Sequence, residues 1–132
     1  MAKKSREKGR KAELEVAKLL GDHLGVTLER RLTQYRTNGE ADLDGWDGVS
    51  IEVKRHKRAT QADVAAWWQE TQGQCQDGEA PLLAYRADLQ DWRFVIRPAD
   101  WGVPIADPME VDIEGLVAWQ TWSSIKRMPT GG

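Results

Sequence analysis

The sequence predicts an α/β protein, a mixed five-stranded sheet flanked by helices, and three observations carry that expectation. Hydrophobic spacing changes along the chain from helical, to alternating over three short segments, to helical, to alternating over two more, and back to helical. The length of 132 residues suits one core and is short for two. Ile51, Glu52, Val53 and Lys54 alternate apolar with charged, which places two apolar side chains on one face of a strand and a carboxylate and an ammonium on the other.

The first helix is expected over residues 5–24, where Val16, Ala17, Leu20 and Leu24 recur at intervals of three and four. Glu13 continues that buried stripe and points inward, whereas Glu15 points to water. A buried carboxylate requires a hydrogen-bonding neighbour or a cation, so Glu13 either pairs with Arg30 or Arg36 or ligates a metal. Residues 26–32 read as the first strand, with Val26, Leu28 and Leu32 on one face, and Thr37, Asn38 and Gly39 lie in a polar loop. Residues 41–44 and 49–55 form two strands joined by the turn Gly45-Trp46-Asp47-Gly48. Thr60 with Asp63 has the form of a capping box and opens a helix to about residue 74, whose Val64, Trp67, Trp68 and Thr71 face inward. Residues 81–87 and 92–97 form the last strand pair around Asp88-Leu89-Gln90-Asp91. Residues 98–112, with three prolines, read as irregular, and residues 113–128 close the chain as a helix carrying Leu116, Trp119 and Ile125. This organisation predicts a single domain over residues 1–128, with a basic N-terminal arm and a disordered tail at 129–132.

Composition bounds the function. No apolar run approaches the roughly 18 residues that span a membrane, and the N-terminus lacks a secretory apolar segment, so a cytoplasmic protein without membrane contact is expected. A single cysteine, Cys75, excludes an internal disulfide and a cysteine-rich zinc site. The net charge of −2 hides an asymmetry: residues 1–58 carry 14 basic against 10 acidic side chains, and residues 59–132 carry 5 against 11. Local positive charge beside acids suits a polyanion whose phosphates are brought to a metal; the alternative is a solvated basic arm.

Antiparallel pairing of the two central strands sets Asp42 beside Glu52, with Lys54 one side-chain repeat further on the same face. Two carboxylates and the backbone carbonyl of Val53 form an oxygen set suited to Mg²⁺, with Mn²⁺ as a substitute. A cation there would bind the scissile phosphate and lower the pKa of an attacking water, which Lys54 would orient. His56 could serve proton transfer or a phosphate contact, or be a plain surface histidine. His23 suits the helix dipole, and Cys75 reads as a small buried hydrophobe.

The set Lys8-Gly9-x-x-x-Glu13, Asp42 and Ile51-Glu52-Val53-Lys54 resembles the PD-(D/E)xK nuclease superfamily, and within it the archaeal-type and phage Holliday-junction resolvases. The likeness implies a restriction-endonuclease-like fold. It makes Glu13 the helical acid of the metal site, Asp42 and Glu52 the principal ligands and Lys54 the catalytic lysine, with Gln61 in a supporting position. Ala41 stands where the motif's proline would be, and the loop Thr37-Asn38-Gly39 lacks the serine often found in the archaeal enzymes. The implied activity is Mg²⁺-dependent hydrolysis of DNA phosphodiesters in recombination by a phage or prophage junction resolvase. The likeness also implies a homodimer acting on branched or four-way DNA, and paired cuts in a two-fold substrate suit a two-fold enzyme. Surplus tryptophans such as Trp119 and Trp122 serve that interface or the core. Phosphate contacts are expected from Lys3, Lys4, Arg6, Lys8, Arg10, Arg30, Arg31, Arg36, Arg55 and Lys57. Competing readings are a flap, repair or restriction-like nuclease on the same fold, or a non-catalytic DNA-binding scaffold whose acids form ion pairs.

Overall fold

The computed structural model describes residues 2–31 and 41–127, with side chains from residue 7 to residue 123 outside the 32–40 segment. The elements in chain order are helix α1 (Ala2–Leu24), strands β1 (Glu29–Arg30), β2 (Leu43–Asp44) and β3 (Val49–His56), helix α2 (Gln61–Gly73), strands β4 (Ala80–Ala87), β5 (Arg93–Ile96) and β6 (Met109–Val111), and helix α3 (Ile113–Arg127). A short 3₁₀ turn occupies Pro98–Trp101. Among the described residues, the six strands lie in sequential order in one sheet and only β3 with β4 is parallel, with α2 as the crossover between them.

The expected sheet had five strands; the sixth, β6, falls within the segment read as irregular. Its three residues are too few to show an alternation, and pairing of Val95 with Glu110 and Ile96 with Met109 fixes it from outside. The N-terminal segment is helical from Ala2 rather than an arm leading to a helix at residue 5. Strand β1 is shorter than the expected segment, although Val26 and Leu28 still pack against the core. Leu32, the 37–39 loop and the tail at 129–132 lie outside the described residues.

Strand alternation sorts the two sides of the sheet. Ile51, Val53, Leu82 and Ala84 pack with Ala12, Val16 and Leu20 of α1 and Leu116 of α3 in the main core. Leu83, Val95 and Tyr85 meet Val64, Trp67 and Trp68 of α2 in a second, smaller cluster. Fully burying the larger of these side chains, such as Val16, Leu20, Ile51, Leu82, Leu83 and Leu116, contributes roughly 1.5–3 kcal/mol each. Helix α2 starts on a complete capping box, with the Thr60 hydroxyl accepting from the Asp63 amide and the Asp63 carboxylate accepting from the Thr60 amide.

The β2–β3 turn is held against the chain before β1. Gly45 has φ of 128°, and a Cβ there would sit 2.1 Å from the Thr27 carbonyl oxygen, so only glycine permits that approach. That close fit fixes the hairpin that carries Asp42 and Glu52.

Candidate active site

The register Leu43↔Ile51 sets Asp42 opposite Glu52 on neighbouring strands. The Asp42 amide donates to the Ile51 carbonyl at 2.9 Å, and one Asp42 carboxylate oxygen accepts from the Val53 amide at 2.8 Å. Both acids are buried, Asp42 8% and Glu52 5% exposed. Burial, and then the neighbouring Asp42 carboxylate, push Glu52 up to about 8, so at neutral pH the metal-free pair keeps a proton. The Glu52 Oε2 atom is buried without a hydrogen-bond partner, and an orphaned carboxylate oxygen beside a second carboxylate is a donor set that fits a divalent cation.

Lys54 lies one repeat along β3 on the same side as Glu52. Its Nζ donates to Glu70 of α2 at 3.1 Å and stands 3.7 Å from Glu52. The ammonium is thus held between a carboxylate of the buried pair and one on the crossover helix. Glu70 is the residue that reading the chain missed. No local signal marks it: its place depends on α2 packing over the sheet face bearing Glu52 and Lys54, which brings an acid on the helix edge to the lysine.

Glu13 is buried, as the helical stripe indicates, and Arg30 Nε donates to it at 2.8 Å. The structure therefore joins Asp42 with Glu52 and sets Glu13 against Arg30. Among the described residues, no three histidine, cysteine, aspartate or glutamate side chains are arranged to hold a metal ion. Arg30 still ties the helical acid to the site, because β1 pairs with β2 and the Arg31 amide donates to the Asp42 carbonyl at 3.0 Å. Gln61 sits exposed in the first turn of α2, lining a groove with Val64, Trp68 and Tyr85, and the support on Lys54 comes from Glu70.

The basic side chains divide. Lys8 and Arg55 both meet Asp88, and Arg55 and Arg86 meet Glu15, in an ion-pair cluster joining α1 to the ends of β3 and β4. Arg10 pairs with Glu7 and Arg31 with Asp44. Lys57 is exposed at the end of β3. Arg36 lies outside the described residues, as do the side chains of Lys3, Lys4 and Arg6. His56 stacks on Trp67 with ring centroids 4.8 Å apart, and the His23 ring lies 3.0 Å from the Leu19 carbonyl oxygen near the end of α1. Cys75 is half-buried, with its thiol directed at the Thr71 carbonyl. Trp119 and Trp122 face each other on α3, Trp119 packed against the core and Trp122 exposed.

A mixed sheet with an Asp on one strand, Glu-x-Lys on the next and a buried helical Glu defines the class of PD-(D/E)xK nuclease folds. The chain belongs to the phage putative PDDEXK endonuclease family, whose model matches residues 4–113. Among solved structures it is similar to the Holliday junction resolvase Hjc of Archaeoglobus fulgidus, at 18% identity over 82% of this chain and 93% of that one, with a TM-score of 0.46. No curated protein matches it. Among the described residues, no helix is long and apolar enough to cross a membrane.

Proposed function

We propose that this protein is a divalent-metal-dependent DNA endonuclease, with Mg²⁺ as the working ion and Mn²⁺ as a substitute, and that it resolves four-way junctions as a homodimer. The observation that carries the metal-dependent reading is the buried Asp42–Glu52 pair with its orphaned Glu52 oxygen, beside Lys54. Those two carboxylates, with the Val53 carbonyl, would hold the ion. When bound, it supplies neutralisation of the phosphate and a more acidic attacking water.

This chain's own groups do the remainder. Val53 fixes one Asp42 oxygen through its amide, which sets the orientation of that carboxylate beside Glu52. The Lys54 ammonium, braced by Glu70, faces the place where negative charge grows on the phosphate and orients the incoming water. Water oxygen bonds to phosphorus, one phosphorus–oxygen ester bond breaks, and the water's proton ends on the leaving oxygen. Glu13 acts through Arg30, holding β1 and hence the Asp42 segment in place. Lys57 and Arg58, with the basic N-terminal segment, meet phosphates, so binding weakens steeply as salt rises. A two-fold dimer would present one such site to each of two strands.

Cleavage of end-labelled four-way junction, flap, linear duplex and single-stranded DNA of matched sequence tests the substrate. The expected result is paired, symmetric nicks confined to the junction, from a protein that sediments as a dimer. Equal cutting of duplex or flap would move the activity to a repair or restriction-like role, and binding with no cutting of any substrate would favour the scaffold reading.

A further inference from the structure

The β4–β5 turn carries a leucine where stability gives it no reason to be. The Gln90 amide donates to the Ala87 carbonyl at 3.1 Å, which makes Leu89 the third residue of a tight turn. Its φ is 66°, the left-handed region that favours glycine or asparagine at this position, and it is the one described non-glycine residue with positive φ. Its side chain is 99% exposed, so the strained backbone gains no packing in return. A bulky residue kept in such a conformation points to a use for the side chain outside the folded chain.

The surroundings say what that use is. The turn is braced from two sides: the Asp88 amide donates to the His56 carbonyl at 3.0 Å, and the Asp88 carboxylate meets Lys8 and Arg55. It is therefore fastened to the end of β3, roughly 7 Å beyond Lys54 at the usual strand rise. Beside it opens a cleft of about 360 Å³ whose charged lining is four basic residues, Lys57, Arg58, Arg86 and Arg93, against Asp88 and Asp91. Asp88 is engaged by Lys8 and Arg55, and Arg86 by Glu15, so Lys57, Arg58 and Arg93 against Asp91 set the charge the cleft offers a ligand, which is net positive. At the same strand end the exposed His56 ring lies flat on Trp67, a surface on which an unstacked base can rest. An apolar tip beside a basic cleft is the arrangement with which proteins enter a base step while holding its phosphates.

We propose that Leu89 is a wedge that enters an opened base step of DNA, with the adjoining cleft holding the phosphates. The inference rests on the nuclease reading of the neighbouring site and gives it a substrate class. The preferred ligand is DNA whose stacking is interrupted, at a branch, junction or flap, because continuous duplex must be unstacked before the leucine can enter.

The test is Leu89→Gly, with Leu89→Met as the variant that keeps an apolar tip. Glycine relieves the strained φ, so the thermal midpoint of Leu89→Gly should equal or exceed that of the wild type. Binding is measured in EDTA to a four-way junction, a flap and a continuous duplex of equal length, and cleavage is scored in parallel with Mg²⁺. Leu89→Gly should lose about tenfold in affinity for the branched substrates, the scale of burying one leucine side chain, with duplex affinity unchanged and Leu89→Met close to wild type. Unchanged branched binding by Leu89→Gly, or an equal loss on duplex, overturns the wedge. A wild type without preference for branched DNA also overturns it, and would direct the exposed tip to a protein partner. The two readings separate cleanly: a Leu89 effect on binding without cleavage by the wild type rejects the nuclease and keeps the wedge, and cleavage indifferent to Leu89 does the reverse.

Discussion

Lys54→Ala is expected to lower the rate of DNA cleavage by about 10²- to 10⁴-fold, the range for loss of a group that positions or transfers a proton in the transition state. The ammonium is 3.1 Å from Glu70 and 3.7 Å from Glu52, and in the proposed reaction its removal would delete a positive charge where the phosphate gains negative charge. Lys54 is also one cation among many for DNA, so affinity should fall only slightly. The measurement is single-turnover cleavage at saturating enzyme, with binding followed separately in EDTA. A companion variant, Glu70→Gln, keeps the lysine and removes its anchor. It should reduce the same rate by a smaller factor, because Lys54 retains Glu52 as a neighbour. A rate for Lys54→Ala within twofold of wild type would remove the lysine from the mechanism.

Glu52→Gln should have an effect at least as large on cleavage, and an opposite one on the metal-free fold. Burial raises Glu52 to about 8, and Asp42, Lys54 and Glu70 are the charged groups around it. The sign follows from proton binding: the folded carboxyl holds its proton more tightly than the unfolded one. Charging it therefore opposes folding, and metal-free stability declines as pH rises from about 4.5 to about 8. Glutamine carries no charge to bury, so the thermal midpoint of Glu52→Gln in EDTA should vary less over that interval. Divalent cation is expected to favour the wild type instead. At a hundredfold excess over its dissociation constant, a bound ion stabilises the folded state by about 2.7 kcal/mol, a rise of several degrees in thermal midpoint. That rise should appear with Mg²⁺ or Mn²⁺ in the wild type and vanish in Glu52→Gln. Equal stabilisation of both proteins would place the ion elsewhere.

Much of the fold could be read from the sequence because its signals were local. The stripe of Val16 and Leu20, the capping box of Thr60 and Asp63, and the alternation from Ile51 to Lys54 each depend on near neighbours, and each stands in the structure. Strand β6 did not show because three residues carry no period, and its place is set by pairing with β5. The same distinction divides the site. Asp42 and Glu52 come together through the hairpin that the glycine-rich turn implied, and antiparallel pairing sets them opposite each other. Glu13 was open between a metal and an arginine, and its pairing with Arg30 depends on how β1 lies over α1, a long-range contact. Glu70 was illegible for a similar reason: its meaning comes from the crossover that lays α2 across the face of β3 and β4. Lys8 and Arg55 looked like free cations for DNA, and tertiary structure brings Asp88 and Glu15 to them.

In the proposed mechanism the buried Asp42–Glu52 pair binds a divalent cation that is required for DNA hydrolysis. Its most direct test is cleavage of end-labelled four-way junction DNA by wild type and Asp42→Asn, each with Mg²⁺ and with EDTA, with binding confirmed for both proteins by gel shift. Cleavage is expected from the wild type with Mg²⁺ alone, and retained binding without cleavage in the other three reactions. Cleavage in EDTA, or cleavage by Asp42→Asn at the wild-type rate, would contradict it.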